Sequence, residues 1–146
     1  MGRSFIHLSA ADVRQLLRSA GLRCTSCRIA VIQQLAAASS PQSHAELADL
    51  LTPAGFDKST IYRSLVELSD TGLVARLDLG DHVWRFELRK GKSGAGEDHP
   101  HFMCIDCGKV TCLPEASVKI ATQKGKKPLL GDVTEILLKG HCENCQ

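Results

Sequence analysis

The hydrophobic period changes from helical to alternating within residues 59–88, which read STIYRSLVELSDTGLVARLDLGDHVWRFEL. The apolar residues of the first half recur at helical spacing and are Ile61, Leu65 and Leu68. They predict a helix with one buried face and an opposite face that is polar and aromatic. After Gly72 the pattern alternates in two runs, 73–79 and 82–88, around Gly80, which together with the next residue predicts a two-residue hairpin turn.

Three further helices are predicted before this stretch. Ser9 and Asp12 form a capping box at the start of the first helix, and Ser43 and Glu46 form another at the start of a short third helix. Thr25 offers a hydroxyl cap for the helix between them. Three short helices, a fourth with a polar face and a hairpin predict a winged helix-turn-helix domain over residues 1–88.

The next segment, residues 89–98, is rich in Gly and Lys and has no periodicity, which predicts a hinge loop. Beyond it, strand character over 101–113 and 133–139 flanks a predicted helix over 114–124. The sequence therefore predicts an α+β fold, in which the winged helix is followed by a small α/β domain over residues 99–146.

Two Cys-x-x-Cys pairs stand at the two ends of this second domain. Zn²⁺ takes four thiolates in a tetrahedron, and each pair supplies two sulfurs at a suitable distance from one another. A domain of about 50 residues has a small core, so a metal cross-link stabilises it. The spacing predicts one structural zinc per chain at Cys104, Cys107, Cys142 and Cys145.

Composition narrows the class of protein. The chain has 146 residues, of which 43% are hydrophobic and 23% charged, with a net charge of +2. It contains neither an apolar stretch of membrane-spanning length nor a signal-peptide pattern, so a cytoplasmic protein without a membrane partner is expected. Seven cysteines then indicate metal or redox chemistry. Nine of the eleven basic residues in 1–90 are Arg, which suits a polyanion.

Three stretches resemble the ferric uptake regulator family: STIYRSL at 59–65, HPHFMCIDCGKV at 99–110 and GHCENC at 140–145. The similarity extends from about Ser9 to the end of the chain. It implies a homodimeric, metal-dependent repressor that binds a double-stranded DNA operator, with no enzymatic activity and no small-molecule substrate. Sensors of iron, zinc, manganese, nickel and peroxide share these motifs within the family.

The resemblance implies a DNA interface on the fourth helix and near the second. Tyr62 and Arg63 match base-contacting positions, where a ring can meet thymine methyl groups and a guanidinium can reach guanine. Arg23 matches a basic residue that reaches the minor groove. The remaining expected contacts are Ser59, Thr60 and Arg28. The alternative to a DNA contact is helix packing for Tyr62 and plain solvation for Arg28.

The resemblance also implies a second, regulatory metal site at the hinge. Glu87 on the wing and the His99-x-His101 pair match ligand positions, and the pair places both imidazoles on one side of a strand. A further His-rich site of many members is expected to be absent. At its positions this chain has Asp98, Pro100, Lys119 and Thr134.

Two departures from the family pattern affect the regulatory site. Gln42 stands where a His is usual, which leaves His44 as a substitute ligand, and Cys112 stands where a carboxylate is usual. A thiolate beside two imidazoles is softer than a carboxylate and suits Zn²⁺. Zinc sensing is therefore favoured, with Fe²⁺ as the alternative.

Two other functions remain open from the residues alone. Cys24 and Cys27 form a third Cys-x-x-Cys at the start of the second helix, where a lowered thiol pKa would favour a redox sensor. The second open function is a zinc-ribbon interaction module that does not bind DNA. One metal per chain fits the module, two fit the regulator, and a reversible Cys24–Cys27 disulfide fits redox sensing.

Overall fold

The computed structural model describes residues 7–89, 99–113, 115–122, 131, 133 and 135–146. Two units divide the chain, Met1–Gly94 and Ala95–Gln146. Residues 90–98 of the predicted hinge lie outside the described residues.

Four α-helices dominate the first unit: α1 (Ala10–Ser19), α2 (Ser26–Ala37), α3 (His44–Leu51) and α4 (Lys58–Asp70). A 3-10 turn, Thr52–Ala54, follows α3. Both predicted capping boxes are present, because Ser9 and Ser43 accept from the N–H groups of Asp12 and Glu46, whose carboxylates accept in return from the cap N–H. No helix among the described residues is long and apolar enough to span a bilayer.

Helix α4 begins earlier than its apolar pattern indicates. Asp57 caps it by accepting a hydrogen bond from the Thr60 N–H at 3.3 Å. The predicted inner face is confirmed, since Ile61, Leu65 and Leu68 are fully buried. They share one core with residues of α1, α2, α3 and the sheet, including Val13, Leu17, Val31, Ile32, Leu47 and Phe86.

Three antiparallel strands complete the first unit: β1 (Gln42–Ser43), β2 (Val74–Asp78) and β3 (Trp84–Leu88), in the order β1-β3-β2. The last pair of the hairpin is Asp78 with Trp84, so the loop spans 79–83. The predicted two-residue turn is therefore wrong. Side-chain hydrogen bonds hold the wider loop: the Gly80 N–H donates to Asp78 at 2.9 Å and the Val83 N–H donates to Asp81 at 3.3 Å.

The second unit contains β4 (His101–Cys104), β5 (Val110–Cys112) and β6 (Leu137–Gly140), in the order β5-β4-β6. Strand β4 is antiparallel to β5 and parallel to β6. Residues 115–122 are not helical, although a helix was expected over 114–124. The β-branched residues Val118, Ile120 and Thr122 weaken helix propensity there. Residues 114, 123 and 124 lie outside the described residues.

Candidate metal centres and nucleic-acid interface

The four cysteines of the two Cys-x-x-Cys pairs lie together at one edge of the second sheet. Cys104 is the last residue of β4, and its register partner on the parallel strand β6 is Gly140, two residues before Cys142. Parallel strands end at the same edge of a sheet, so the two Cys-x-x-Cys pairs, which follow β4 and β6, lie side by side at that edge. The sulfurs of Cys104, Cys107, Cys142 and Cys145 all lie within 4.8 Å of one another.

The geometry of this group fits a tetrahedral metal. The Sγ atoms of Cys107 and Cys142 are 3.9 Å apart. Four thiolates at the usual Zn–S distance of about 2.3 Å would be separated by about 3.8 Å. The residues present therefore fit a tetrahedral metal ion of the size of zinc.

The electrostatics of the four cysteines also favour binding of a cation. Backbone N–H groups of Cys107 and Cys142 lower the pKa of the Cys104 thiol to about 6. Hydrogen bonding to Cys142, together with burial, raises the pKa of the Cys145 thiol to about 12. Four negative sulfurs this close repel one another, so a divalent metal is the partner that would allow all of them to ionise.

Two polar residues beside these cysteines were not among the predicted site residues. Nδ1 of His141 lies 2.5 Å from Oδ2 of Asp106, and this hydrogen bond raises the pKa of the His141 imidazole. Asp106 stands inside the first cysteine pair, and His141 directly precedes the second. The charged contact is invisible in the sequence because it depends on the pairing of β4 with β6.

A second group of ligand types lies on β4, β5 and the residues before them. His101 and Cys112 are register partners across the two strands and are 4% and 5% exposed. The rings of His99 and His101 have centroids 4.7 Å apart. The ligand atoms of these three residues lie within 4.8 Å of one another, a spacing that suits one divalent ion. Glu87, in the first unit, is half-buried on β3 opposite Ala75.

His44 has a different environment from the one predicted. Its Nε2 lies 2.8 Å from the carbonyl oxygen of Lys58, and its ring meets that of Tyr62 edge to face. In the part of the chain that the structure describes, His44 belongs to no group of metal-ligand types. The ring connects the start of α3 to the start of α4, which supports a packing and hydrogen-bonding role, and the metal-ligand role of His44 stays a prediction.

The outer face of α4 carries four of the predicted DNA-binding residues within its first two turns. Tyr62 is 47% exposed, and Arg63 is also exposed. The hydroxyl of Ser59 donates to the Asp57 carboxylate and lowers its pKa, and that of Thr60 lies 3.5 Å from the same oxygen. Arg23 is exposed just before α2. These side chains are available to a partner, although the two hydroxyls have local acceptors.

Arg28 is held inside the first unit. Its Nε donates to the Glu67 carboxylate at 3.0 Å, and a terminal nitrogen donates to the Arg23 carbonyl at 2.9 Å. The side chain is 13% exposed. Its guanidinium joins α2 to α4, so plain solvation does not describe this residue, and the phosphate contact stays a prediction.

Cys24 and Cys27 have separate surroundings. Cys27 is 4% exposed, and its Sγ lies 3.5 Å from the Ser64 hydroxyl beneath α4. The Sγ of Cys24 lies 3.6 Å from the Arg14 carbonyl oxygen. Both are free thiols. A buried thiol that packs against α4 favours a core role for Cys27.

The wing tip carries an exposed aromatic residue that was not among the predicted site residues. Trp84 is 46% exposed, and the guanidinium carbon of Arg76 lies 4.2 Å from the centroid of its ring. The sequence feature that could have predicted this exposed residue is a single Trp at the outer end of a strand with alternating polarity. Arg stacked on an exposed indole offers a cationic, flat surface at the edge of the domain.

Comparisons with known proteins agree with this organisation. The profile of the Ferric uptake regulator family matches residues 19–128. The chain is 31% identical to the ferric uptake regulation protein of Yersinia pestis, covering 92% of this chain and 93% of that protein. It is 28% identical to the peroxide-responsive repressor PerR of Staphylococcus aureus strain Mu50, with 89% and 86% covered.

A solved structure shows the same architecture. The ferric uptake regulator of Vibrio cholerae superposes with a TM-score of 0.65 at 26% identity, covering 88% of this chain and 98% of that one. This likeness confirms the predicted α+β fold, with a helix-turn-helix unit followed by a small second domain. The chain belongs to the ferric uptake regulator family, and it is a metal-responsive, DNA-binding transcription regulator rather than an enzyme.

Proposed function

We propose that the protein is a repressor that binds duplex operator DNA as a homodimer when a divalent metal occupies its regulatory site. The observation that carries this is the convergence of His99, His101 and Cys112 on one point of the second sheet. We assign Glu87 of the first unit as the fourth ligand, from its match to the family's ligand position. A metal bound there would shift the protein toward the conformation that binds it more tightly.

The DNA interface follows from the exposed residues of the first unit. Tyr62 and Arg63 on α4 would read base edges in the major groove, with Ser59 and Thr60 at the start of the same helix. Arg23 would reach the adjacent backbone or minor groove. The stacked pair of Arg76 and Trp84 adds a contact surface on the wing.

The homodimer would form through the second unit. Exposed large apolar side chains are concentrated there: Ile105, Val118, Ile120, Val133 and Leu138, each at least 40% exposed. Association with another protein chain would remove such exposed apolar side chains from water. A two-fold dimer could place two recognition helices about 34 Å apart, on successive major grooves.

The four-cysteine group would hold a structural zinc. Four thiolates saturate a tetrahedral ion, which leaves no open position for substrate and so fits a structural role. The metal would join the end of β4 to the residues after β6 and stabilise the second unit. It would supply cross-linking only, whereas the response to metal would depend on the other site.

For the regulatory metal we favour Zn²⁺ over Fe²⁺. Cys112 is almost fully buried beside His101, so a thiolate is the ligand this site offers where a carboxylate would favour a harder ion. Two imidazoles, a thiolate and a carboxylate make a four-ligand set that suits tetrahedral zinc.

The coupling between metal and DNA needs little free energy. A tenfold rise in DNA affinity corresponds to about 1.4 kcal/mol. A metal that binds the DNA-competent arrangement tenfold more tightly than the other would supply it.

The experiment uses the full chain and a duplex selected from a random-sequence library by the metal-loaded protein. Fluorescence anisotropy gives the dissociation constant with the regulatory metal removed, and again after addition of Zn²⁺, Fe²⁺ or Mn²⁺. We expect at least a tenfold gain for the parent and no gain for His101→Ala, which should keep one zinc per chain and remain dimeric. The matched control is His7→Ala, an exposed His outside both groups.

A His101→Ala variant that responds to metal like the parent would overturn the assigned regulatory site. Parent protein that binds the duplex equally with and without metal would overturn the metal dependence itself.

A further inference from the structure

We propose that Asp106 and His141 form a clasp that positions the two cysteine pairs around the structural zinc. The clasp is the hydrogen bond between Nδ1 of His141 and Oδ2 of Asp106, 2.5 Å long. This inference rests on the proposed zinc at the four cysteines. Neither residue is assigned as a ligand, and each is a positioning residue for the cysteines next to it.

The clasp lies where the strand pairing of the second sheet ends. Cys104 and Gly140 are the last register partners of β4 and β6, and the Ile105 N–H donates to the Gly140 carbonyl at 2.9 Å. Beyond these residues both segments turn away into their Cys-x-x-Cys loops. The clasp is a further link between the two segments beyond that backbone hydrogen bond, and it joins residues 35 apart in sequence.

The clasp also fixes a backbone donor to a metal ligand. The N–H of Cys142, the residue after His141, donates to the Sγ of Cys104 at 3.4 Å. N–H donors stabilise a thiolate only while they point at it. Holding His141 in place therefore holds this N–H on the Cys104 sulfur and brings the Cys142 sulfur to the shared centre.

The Asp106 carboxylate would be unfavourable here without its partner. The Cys104 thiol donates to its Oδ2, with Sγ and Oδ2 4.0 Å apart. Once a bound metal converts that thiol to a thiolate, two negative groups would face each other across this distance. His141 donates to that same oxygen and satisfies it. The pair thus offsets a repulsion that the loop sequence Cys104-Ile105-Asp106-Cys107 otherwise creates.

The test measures zinc loss from the full-length protein to a chromophoric chelator at fixed pH. Loss of a residue that orients metal ligands typically weakens metal binding about 10- to 100-fold. We expect His141→Ala to release zinc faster by a factor in that range. His141→Asn should restore most of the parental rate, because its amide N–H can replace the Nδ1 donor. The matched control is Glu143→Ala, an exposed residue inside the second cysteine pair.

Two further measurements separate the clasp from other roles. The Co²⁺-substituted four-cysteine site should keep its thiolate charge-transfer bands in His141→Ala, whereas a changed band pattern would make His141 a ligand and overturn the clasp. Asp106→Ala combined with His141→Ala should release zinc no faster than either single variant. Additive effects would show that the two residues act independently.

The outcomes also distinguish the clasp from the proposed structural zinc on which it rests. Parental zinc release in His141→Ala, with one zinc bound, would overturn the clasp and leave the structural zinc standing. Parent protein without tightly held zinc would overturn the structural zinc and the clasp together. Neither readout uses DNA, so the repressor assignment is tested separately.

Discussion

The ring of His44 meets the ring of Tyr62 edge to face, with centroids 5.4 Å apart. Such aromatic pairs contribute about 0.5–1.5 kcal/mol. We therefore expect His44→Ala to weaken binding to the selected duplex about 2- to 10-fold by loosening Tyr62, with the metal response unchanged. Anisotropy titrations with and without metal check this. Normal affinity combined with a lost metal response would instead make His44 a ligand.

Arg63 should contribute to sequence recognition. It is exposed on the first two turns of α4, beside Tyr62. If it contacts a guanine edge through both nitrogens, Arg63→Ala should cost about 1–3 kcal/mol on the selected duplex and much less on random DNA. Arg18→Ala, an exposed change in the last turn of α1, is the control. Equal losses on both DNAs would place Arg63 on phosphate.

Arg28 should matter for folding more than for DNA. Its guanidinium has a carboxylate partner and a backbone carbonyl, and the side chain is mostly buried. Because Glu67 is half exposed and solvent screens the pair, we expect Arg28→Ala to lower the free energy of unfolding by about 1–2 kcal/mol. Urea unfolding measures this. If Arg28→Ala left the stability unchanged but made DNA binding weaker and less salt-dependent, the result would instead support a phosphate contact by Arg28.

Cys104→Ser should release the structural zinc and weaken the dimer together. Its thiol has the lowered pKa and lies at the end of β4, so its loss removes both a ligand and the link from this strand to the second pair. Metal analysis and sedimentation measure the two effects, with Cys24→Ser as the control. A variant that loses zinc but stays dimeric with an unchanged Tm would contradict a structural role.

Co²⁺ at the regulatory site should report on Cys112 directly. With zinc left at the four cysteines, a sulfur ligand to Co²⁺ gives a strong near-ultraviolet charge-transfer band. Cys112→Ser should abolish that band, and Cys27→Ser, which removes another buried thiol, should not. Absence of the band in the parent protein would remove Cys112 from the site and with it the preference for zinc.

The helices of the first unit were predictable because their signals are local. Capping boxes at Ser9 and Ser43 and the apolar spacing of Ile61, Leu65 and Leu68 involve residues within one or two turns. Strand β1 was missed because two residues carry no alternation. The hairpin loop was wrong because the hydrogen bonds of Asp78 and Asp81 outweigh the turn preference of Gly80.

For the metal centres, too, the local features were predictable and the features that depend on strand pairing were not. Cys-x-x-Cys spacing is a local signal for a ligand pair, whereas the union of the two pairs depends on the parallel register of β4 and β6. The proximity of His101 to Cys112 likewise follows from a strand pairing. The contacts of His44 with Lys58 and Tyr62 could not be predicted, because they come from the packing of α3 against α4.

The register of β4 with β6 also sets an order of events during synthesis. His101 pairs with Leu137 and Cys104 with Gly140, so the second sheet cannot close until residue 140 has left the ribosome. The three strands that the structure describes in the first sheet are complete by Leu88. Domains fold as units and earlier segments fold first. Helix α4 therefore matures on the nascent chain before the second cysteine pair has been made.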